Sequence, residues 1–383
     1  MSPWLRRAAW PAAFAAATVL LGAAAASRFE AYLARPDLDH GLHLAYTQRL
    51  VADGALQPHF LYHLLVAAAS GGSRDFGRLD HAAVAVLTLF ALARVALALA
   101  FVRSLTTAAL APLRAGPALA LGVALFFVAP LPKPWRPFDI YLGQLSPTVW
   151  HNPTVITLTP LALAAFWAFV GSAARRQGRH DASSGILLAL SALAKPNFAL
   201  AFAPAVSLLR LRRPLSLAVL LGPTLAVLGW QLYHARSIAL ALAPWAGSLL
   251  AIQPLEVWRA YSPHPLVSAL VSLAFPLAAQ AAVGRDARHP RALAAAWLVT
   301  AAAIAEFALL AEPGPRLWDA NYYWGVVPAT FILFVVCAAE LLAPRDAAAP
   351  RAALRRTAWA LLVAHAASGV FLWAYPFQLA ALR

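Results

Sequence analysis

The chain is short of charge, shorter of acid and almost without cysteine. Only 12% of its 383 residues are Asp, Glu, Lys or Arg, against 62% hydrophobic, and the mean hydropathy is +0.69. A soluble surface needs far more charge, so a water-facing enzyme, a disordered chain and a collagen-like repeat are excluded. One cysteine, Cys337, excludes an intrachain disulfide framework and a paired-cysteine metal site. There is no Walker phosphate loop, no glycine-rich dinucleotide fingerprint following a strand and no His-Glu-x-x-His zinc helix, so nucleotide-driven energy coupling is not expected. Fifteen acids stand against thirty Lys and Arg, a net charge of +15. In a soluble protein that excess would suit nucleic acid. Here it is broken into clusters between apolar runs, so no nucleic-acid partner is expected.

What the chain does have is a series of apolar runs. A helix needs about 20 residues to cross a hydrocarbon core about 30 Å thick. Runs of that length fall at about 8–27, 82–102, 115–132, 153–173, 185–209, 215–233, 265–283, 292–311, 324–343 and 357–375. The first has Arg6 and Arg7 before it and Ala24, Ala25 and Ala26 near its end, as a signal peptide would. The further runs commit the chain to the bilayer regardless, and the first is read as an uncleaved anchor.

Basic residues stay on the cytoplasmic side. Arg6 and Arg7, Arg103 and Arg114, Arg175 to Arg179, Arg210 to Arg213, Arg285 to Arg291 and Arg345 to Arg356 mark that side. Holding both the 175–179 and 210–213 clusters inside requires 185–209 to cross twice, as a hairpin of two short helices with Lys195-Pro196-Asn197 at its tip. A single crossing would strand one cluster on the wrong side. The expectation is an all-α polytopic transmembrane helix bundle of about 11 membrane segments. It forms one membrane-embedded domain over 1–383, with the amino terminus inside. The first outer loop, 28–81, carries two amphipathic stretches, Asp39 to Asp53 and His59 to Ala69, the second of which suits the interface.

This topology sends nearly all acids, histidines and tryptophans outward, so the chemistry is expected on the noncytoplasmic face. In Arg35-Pro36-Asp37-Leu38-Asp39-His40-Gly41-Leu42-His43, two carboxylates beside imidazoles could hold a divalent metal such as Mg or Mn, or supply a general base. Asp39 equally suits a plain helix cap. Tyr141 to Thr154 concentrates Gln144, Trp150, His151 and Asn152, which either line a cavity or form an aromatic belt with Asn152 capping a helix that starts at Pro153. Lys195 and Asn197 at the hairpin tip suit a phosphate, although a lysine there can also snorkel. Lys133 and Arg136 add positive charge in a proline-rich loop. Asp319, Asn321 and Tyr322 could bind a sugar ring or serve as an interfacial anchor. Arg94, near the centre of its span, points into the bundle, where Glu306 is one conceivable partner.

An uncleaved first span followed by an outer loop with Asp37-Leu38-Asp39, interfacial helices and a later Lys195-Pro196 resembles the GT-C class of integral membrane glycosyltransferases. The resemblance covers roughly the first 210 residues and is one of layout. It implies a polyprenyl-phosphate-linked sugar donor, a glycan, lipid or protein acceptor, and action at the outer face of a bacterial-type inner membrane. It makes Asp37 or Asp39 the base, with Lys195 and Arg136 at the donor phosphate. A transporter or flippase for a lipid-linked substrate and a noncatalytic assembly subunit are the competing expectations.

Overall fold

The computed structural model describes residues 3–33, 39–107, 115–133, 143–175, 178–242, 250–312, 317, 319–343 and 349–381. These form helices and one two-residue antiparallel ladder, in which β1 (Ala251–Ile252) pairs with β2 (Leu310–Ala311). The chain is an integral multi-pass membrane protein of all-α class. Among the described residues, seven helical segments are long and apolar enough to cross a membrane, or eight if one bent pair is a single span.

Helix α1 (Pro3–Leu33) leads to α2 (Asp39–Asp53), whose limits match the amphipathic stretch read from the sequence. Its buried residues His40, His43, Leu44 and Thr47 follow the i, i+3, i+4, i+7 spacing of one helical stripe. Gly54 ends it, with φ +68 and its N–H on the Leu50 carbonyl, a conformation that costs glycine little. The short α3 (Leu61–Ala69) packs against α2 and α4 (Phe76–Thr107). Asp75 caps α4 by accepting the Arg78 N–H at 2.9 Å. The next apolar run yields only a 13-residue helix, α5 (Ala115–Phe127), shorter than the run itself.

The hairpin is present as two helices. After α6 (Pro153–Arg175), α7 (Gly178–Ala194) runs to Lys195 and α8 (Asn197–Arg210) begins beyond Pro196. Proline lacks an N–H and disfavours a helical residue before it, which accounts for the interruption. The far ends of the two helices meet. Arg210 pairs with Asp181 at 3.3 Å, both side chains being buried, and Ser216 donates to Asp181 at 2.7 Å while accepting from Arg210 at 3.0 Å. Phe169 lies 5.1 Å beneath the guanidinium. Residues 181 and 210 are therefore neighbours, with residues 195–197 at the opposite end, so α7 and α8 are antiparallel.

Helix α9 (Pro214–Leu242) packs along α7, and α10 (Glu256–Tyr261) follows β1. The run at 265–283 is broken into α11 (Pro265–Ser272) and α12 (Ala274–Val283), with a bend of 58° at Leu273. Then come α13 (Pro290–Leu309), α14 (Val326–Leu342) and α15 (Ala349–Ala381). Helix α14 is apolar on every side and almost wholly covered, which makes it the centre of the bundle. Leu215, Leu225, Leu232 and Tyr233 on α9 stay exposed and suit contact with lipid.

Polar pairs close one end of the bundle. Besides Asp181 with Arg210, Glu340 accepts the N–H groups of Arg288 (2.9 Å) and His289 (2.6 Å), and Arg351 pairs with Asp286. Asp39, His151, Lys195 and Trp324 lie at the other.

Gly185 admits α9 so closely that a Cβ there would lie 2.6 Å from the Leu220 carbonyl oxygen. Gly185→Val is expected to destabilise the fold by about 1–3 kcal/mol, the usual cost of overpacking. A lowered melting temperature of the purified chain in detergent checks this, and an unchanged one contradicts the packing.

Candidate functional site

The polar end is assembled from the end of α1, the start of α2, the 143–152 segment, the hairpin tip and the 317–325 segment. Asp39 is the first residue of α2, and the Asn152 amide reaches it at 3.4 Å, a long hydrogen bond. The other end of that amide caps α6, since Asn152 Oδ1 accepts from the Val155 N–H (3.2 Å) and the Thr154 hydroxyl (2.8 Å). The cap and the contact to the acid are one side chain. Lys195 lies within electrostatic range of Asp39, and its Nζ sits 5.6 Å from the Trp324 ring centroid. His151 meets the same indole edge-on at 5.6 Å.

Asp39 keeps an exposed surface, yet crowding of its carboxyl raises its pKa above 3.8. Lys195 works against that rise and Asp319 adds to it. His40 is fully buried, stacked on Tyr32 at 5.6 Å, and burial lowers its pKa to about 4. His43 is held well below 6.5 by burial and by the neighbouring His63, His59, Lys195 and His40. Burial lowers His63 to about 4. His151 is lowered to about 3 by desolvation, with His40, Arg28 and Lys195 adding to it.

The far wall is built around Asn197, which donates to the Asn321 carbonyl at 2.7 Å. Gly325 allows this approach, because a Cβ there would lie 2.8 Å from the Asn197 carbonyl oxygen. The Asn321 amide in turn donates to Glu312. Tyr323 Oη accepts the Ser146 N–H at 3.2 Å, tying this wall to the 143–152 segment. Phe307, Glu312, Leu317, Asn321 and Tyr322 line part of a crevice beside it, too tight to admit a water molecule.

Several expected residues are engaged elsewhere. Trp150 is no headgroup anchor: it is 2% exposed and packs on Phe29 (6.0 Å) and Phe126 (5.2 Å). Gln144 is buried and donates to the Leu131 carbonyl at 2.7 Å. Lys133 is buried with its ammonium against Gly143, so it does not snorkel to water. His43 bonds His63, Nδ1 to Nε2, at 2.9 Å. Arg94 points into the bundle, where it donates to Thr148 Oγ1 (3.1 Å) and the Phe126 carbonyl (2.8 Å) and lies 5.0 Å over Phe331. Those groups take the place of the conceivable Glu306 partner. Asp37 and Arg136 lie outside the described residues.

Two participants escaped the sequence reading. Arg28 is 2% exposed, donates to Tyr32 Oη at 2.7 Å and acts electrostatically on His151. A basic residue at the outer end of a span, against the usual bias, was the available signal. Trp324, two residues beyond Tyr322, is the other, with Lys195 and His151 against its ring. Among the described residues no group of three or more His, Cys, Asp or Glu side chains could hold a metal, so the expected Mg or Mn gains no ligand set there.

A histidine whose folded pKa is depressed binds fewer protons folded than unfolded between the two values, so stability rises with pH across that window. For His40 and His63 the window runs from about 4 up to the ordinary histidine value of 6.5. The melting temperature is expected to fall between pH 7 and pH 5, and His63→Gln should flatten that fall. A profile with no slope in the wild-type chain would contradict the burial of these rings.

Comparison of the chain with known protein families, with curated proteins and with solved structures returns no match.

Proposed function

We propose that the chain is a glycosyltransferase that moves a sugar from a lipid-phosphate-linked donor to an acceptor hydroxyl at the outer face of a bacterial-type inner membrane. The observation that carries this reading is Asp39, an acid with a raised pKa, held within electrostatic range of the Lys195 ammonium, which itself lies 5.6 Å from the Trp324 ring at the polar end of the bundle. The proposal includes about 11 membrane segments, with α7 and α8 counted as two, and the amino terminus inside. Arg210, Arg288 and Arg351 at the other end support that orientation.

A base with a raised pKa works closer to neutral pH than an ordinary carboxylate. In the proposed step Asp39 removes the acceptor hydroxyl proton as that oxygen attacks the anomeric carbon. The bond from that carbon to the phosphate oxygen breaks, and its electron pair leaves with the lipid phosphate. Lys195 stabilises the charge gathering there, positioned 5.6 Å from the centroid of the buried Trp324 ring. The Asn152 amide orients Asp39. The donor tail stays in the bilayer, so no nucleotide site is needed.

A second reading, a transporter or flippase, is favoured by the interrupted helices, the Lys195-Pro196 break and the 58° bend between α11 and α12. Mass spectrometry of lipid-linked sugars and outer glycans separates the two. A deletion and Asp39→Asn should both remove one glycan modification and accumulate its donor, with turnover reduced about 10²-fold or more in the variant. Lys195→Gln should slow transfer while the protein still folds. Full turnover in Asp39→Asn removes the base assignment, and a change of lipid sidedness with no covalent bond lost selects the transporter.

A further inference from the structure

Glu306 has no part in the step above. It sits one turn from the outer end of α13 and is 9% exposed. Neither carboxyl oxygen has a hydrogen-bond partner. Among the described residues, the one polar group directed at it is the Asn197 amide, which gives one of its two hydrogens to the Asn321 carbonyl at 2.7 Å. Other buried acids of the bundle are well served: Asp181 has Arg210 and Ser216, and Glu340 has two backbone N–H groups and the His289 ring. A buried carboxyl served by no more than one amide is a standing cost to the fold. Its surroundings say what would relieve it. Asn197 is two residues from Lys195, and the rings of Phe307, Tyr323 and Trp324 run from beside Glu306 to the lysine, at successive centroid separations of 5.2 Å.

We propose that Glu306 is a ligand-reading group that binds hydroxyls of the donor sugar, at the far end of a site whose phosphate end is Lys195. This rests on the glycosyltransferase reading. A glycosyl phosphate matches the order of chemistry along the wall: an anion for the ammonium, a ring face for the aromatics, and hydroxyl donors for the carboxyl. Both carboxyl oxygens and the three rings are covered in this state, so the sugar reaches them on a local opening of this wall. The Asn197 contact to Asn321 is the latch that parts.

Two measurements on the full-length chain in nanodiscs test this. The first is the melting temperature without ligand. A group kept for a ligand at the expense of the fold should give a more stable protein when replaced, so Glu306→Leu is expected to melt about 2 °C higher or more. A lower melting temperature shows a structural role and overturns the proposal. The second is the thermal shift given by polyprenyl phosphate, bare or carrying a hexose or pentose. Wild type should gain more from a sugar-bearing lipid than from the bare one. Glu306→Leu should erase that difference and keep the bare-lipid shift, whereas Lys195→Gln should reduce both. A full sugar-dependent difference in Glu306→Leu overturns the proposal. No shift with any lipid in wild type overturns the donor reading and the sugar assignment with it. The ligand-free measurement then still decides whether Glu306 is held for a ligand.

Discussion

The polar end depends on a proline. Pro196 has no N–H to give and prevents Lys195 from continuing a helix, so what would be one long apolar helix becomes two antiparallel ones. At about 1.5 Å per residue, α7 and α8 measure about 25 and 21 Å. The interruption delivers Lys195 and Asn197 to the same end of the bundle as the start of α6 and the start of α2. At the other end the buried Asp181–Arg210 pair holds the two helices together, and breaking such a pair typically costs about 3–5 kcal/mol because it leaves a charge uncompensated.

The sequence made the fold legible where a single physical rule dominates. Length and apolarity located the helices, amphipathic spacing located α2 to the residue, and the arginine bias required the hairpin before any coordinates. It was less informative where two helices share one apolar run or where a run outlasts its helix. Neither the bend at Leu273 nor the short α5 leaves a mark in hydropathy, since the residues on both sides are equally apolar. The β1–β2 ladder is two residues per strand, too short for an alternation to register.

Single side chains of the site were harder to read, because a polar residue near a membrane surface has the same appearance whether it serves packing or a ligand. Trp150 and Gln144 turned inward because the 143–152 segment is threaded between α5, α6 and the 321–324 turn, a long-range arrangement that no local pattern encodes. Arg94 organises that threading from the middle of α4, holding Thr148 and the Phe126 carbonyl with one guanidinium. Asp39, His151, Asn152, Lys195 and Asp319 do gather. They come from stretches singled out by the same criterion, polar density outside the arginine clusters.

Asn152 gives the polar end a mechanical property. Its carboxamide is fixed to the first turn of α6 by one atom and faces Asp39 with the other. Helix α6 is also packed along α7, and Lys195 directly follows the end of α7. The orienting amide and the cation therefore ride on one antiparallel pair. A piston or tilt of that pair during a working cycle would carry both together, leaving the spacing between them unchanged while altering their height against the acid on α2. Adjustment of the outer end would then act as a change of alignment between two rigid bodies, with α2 as the part that gives.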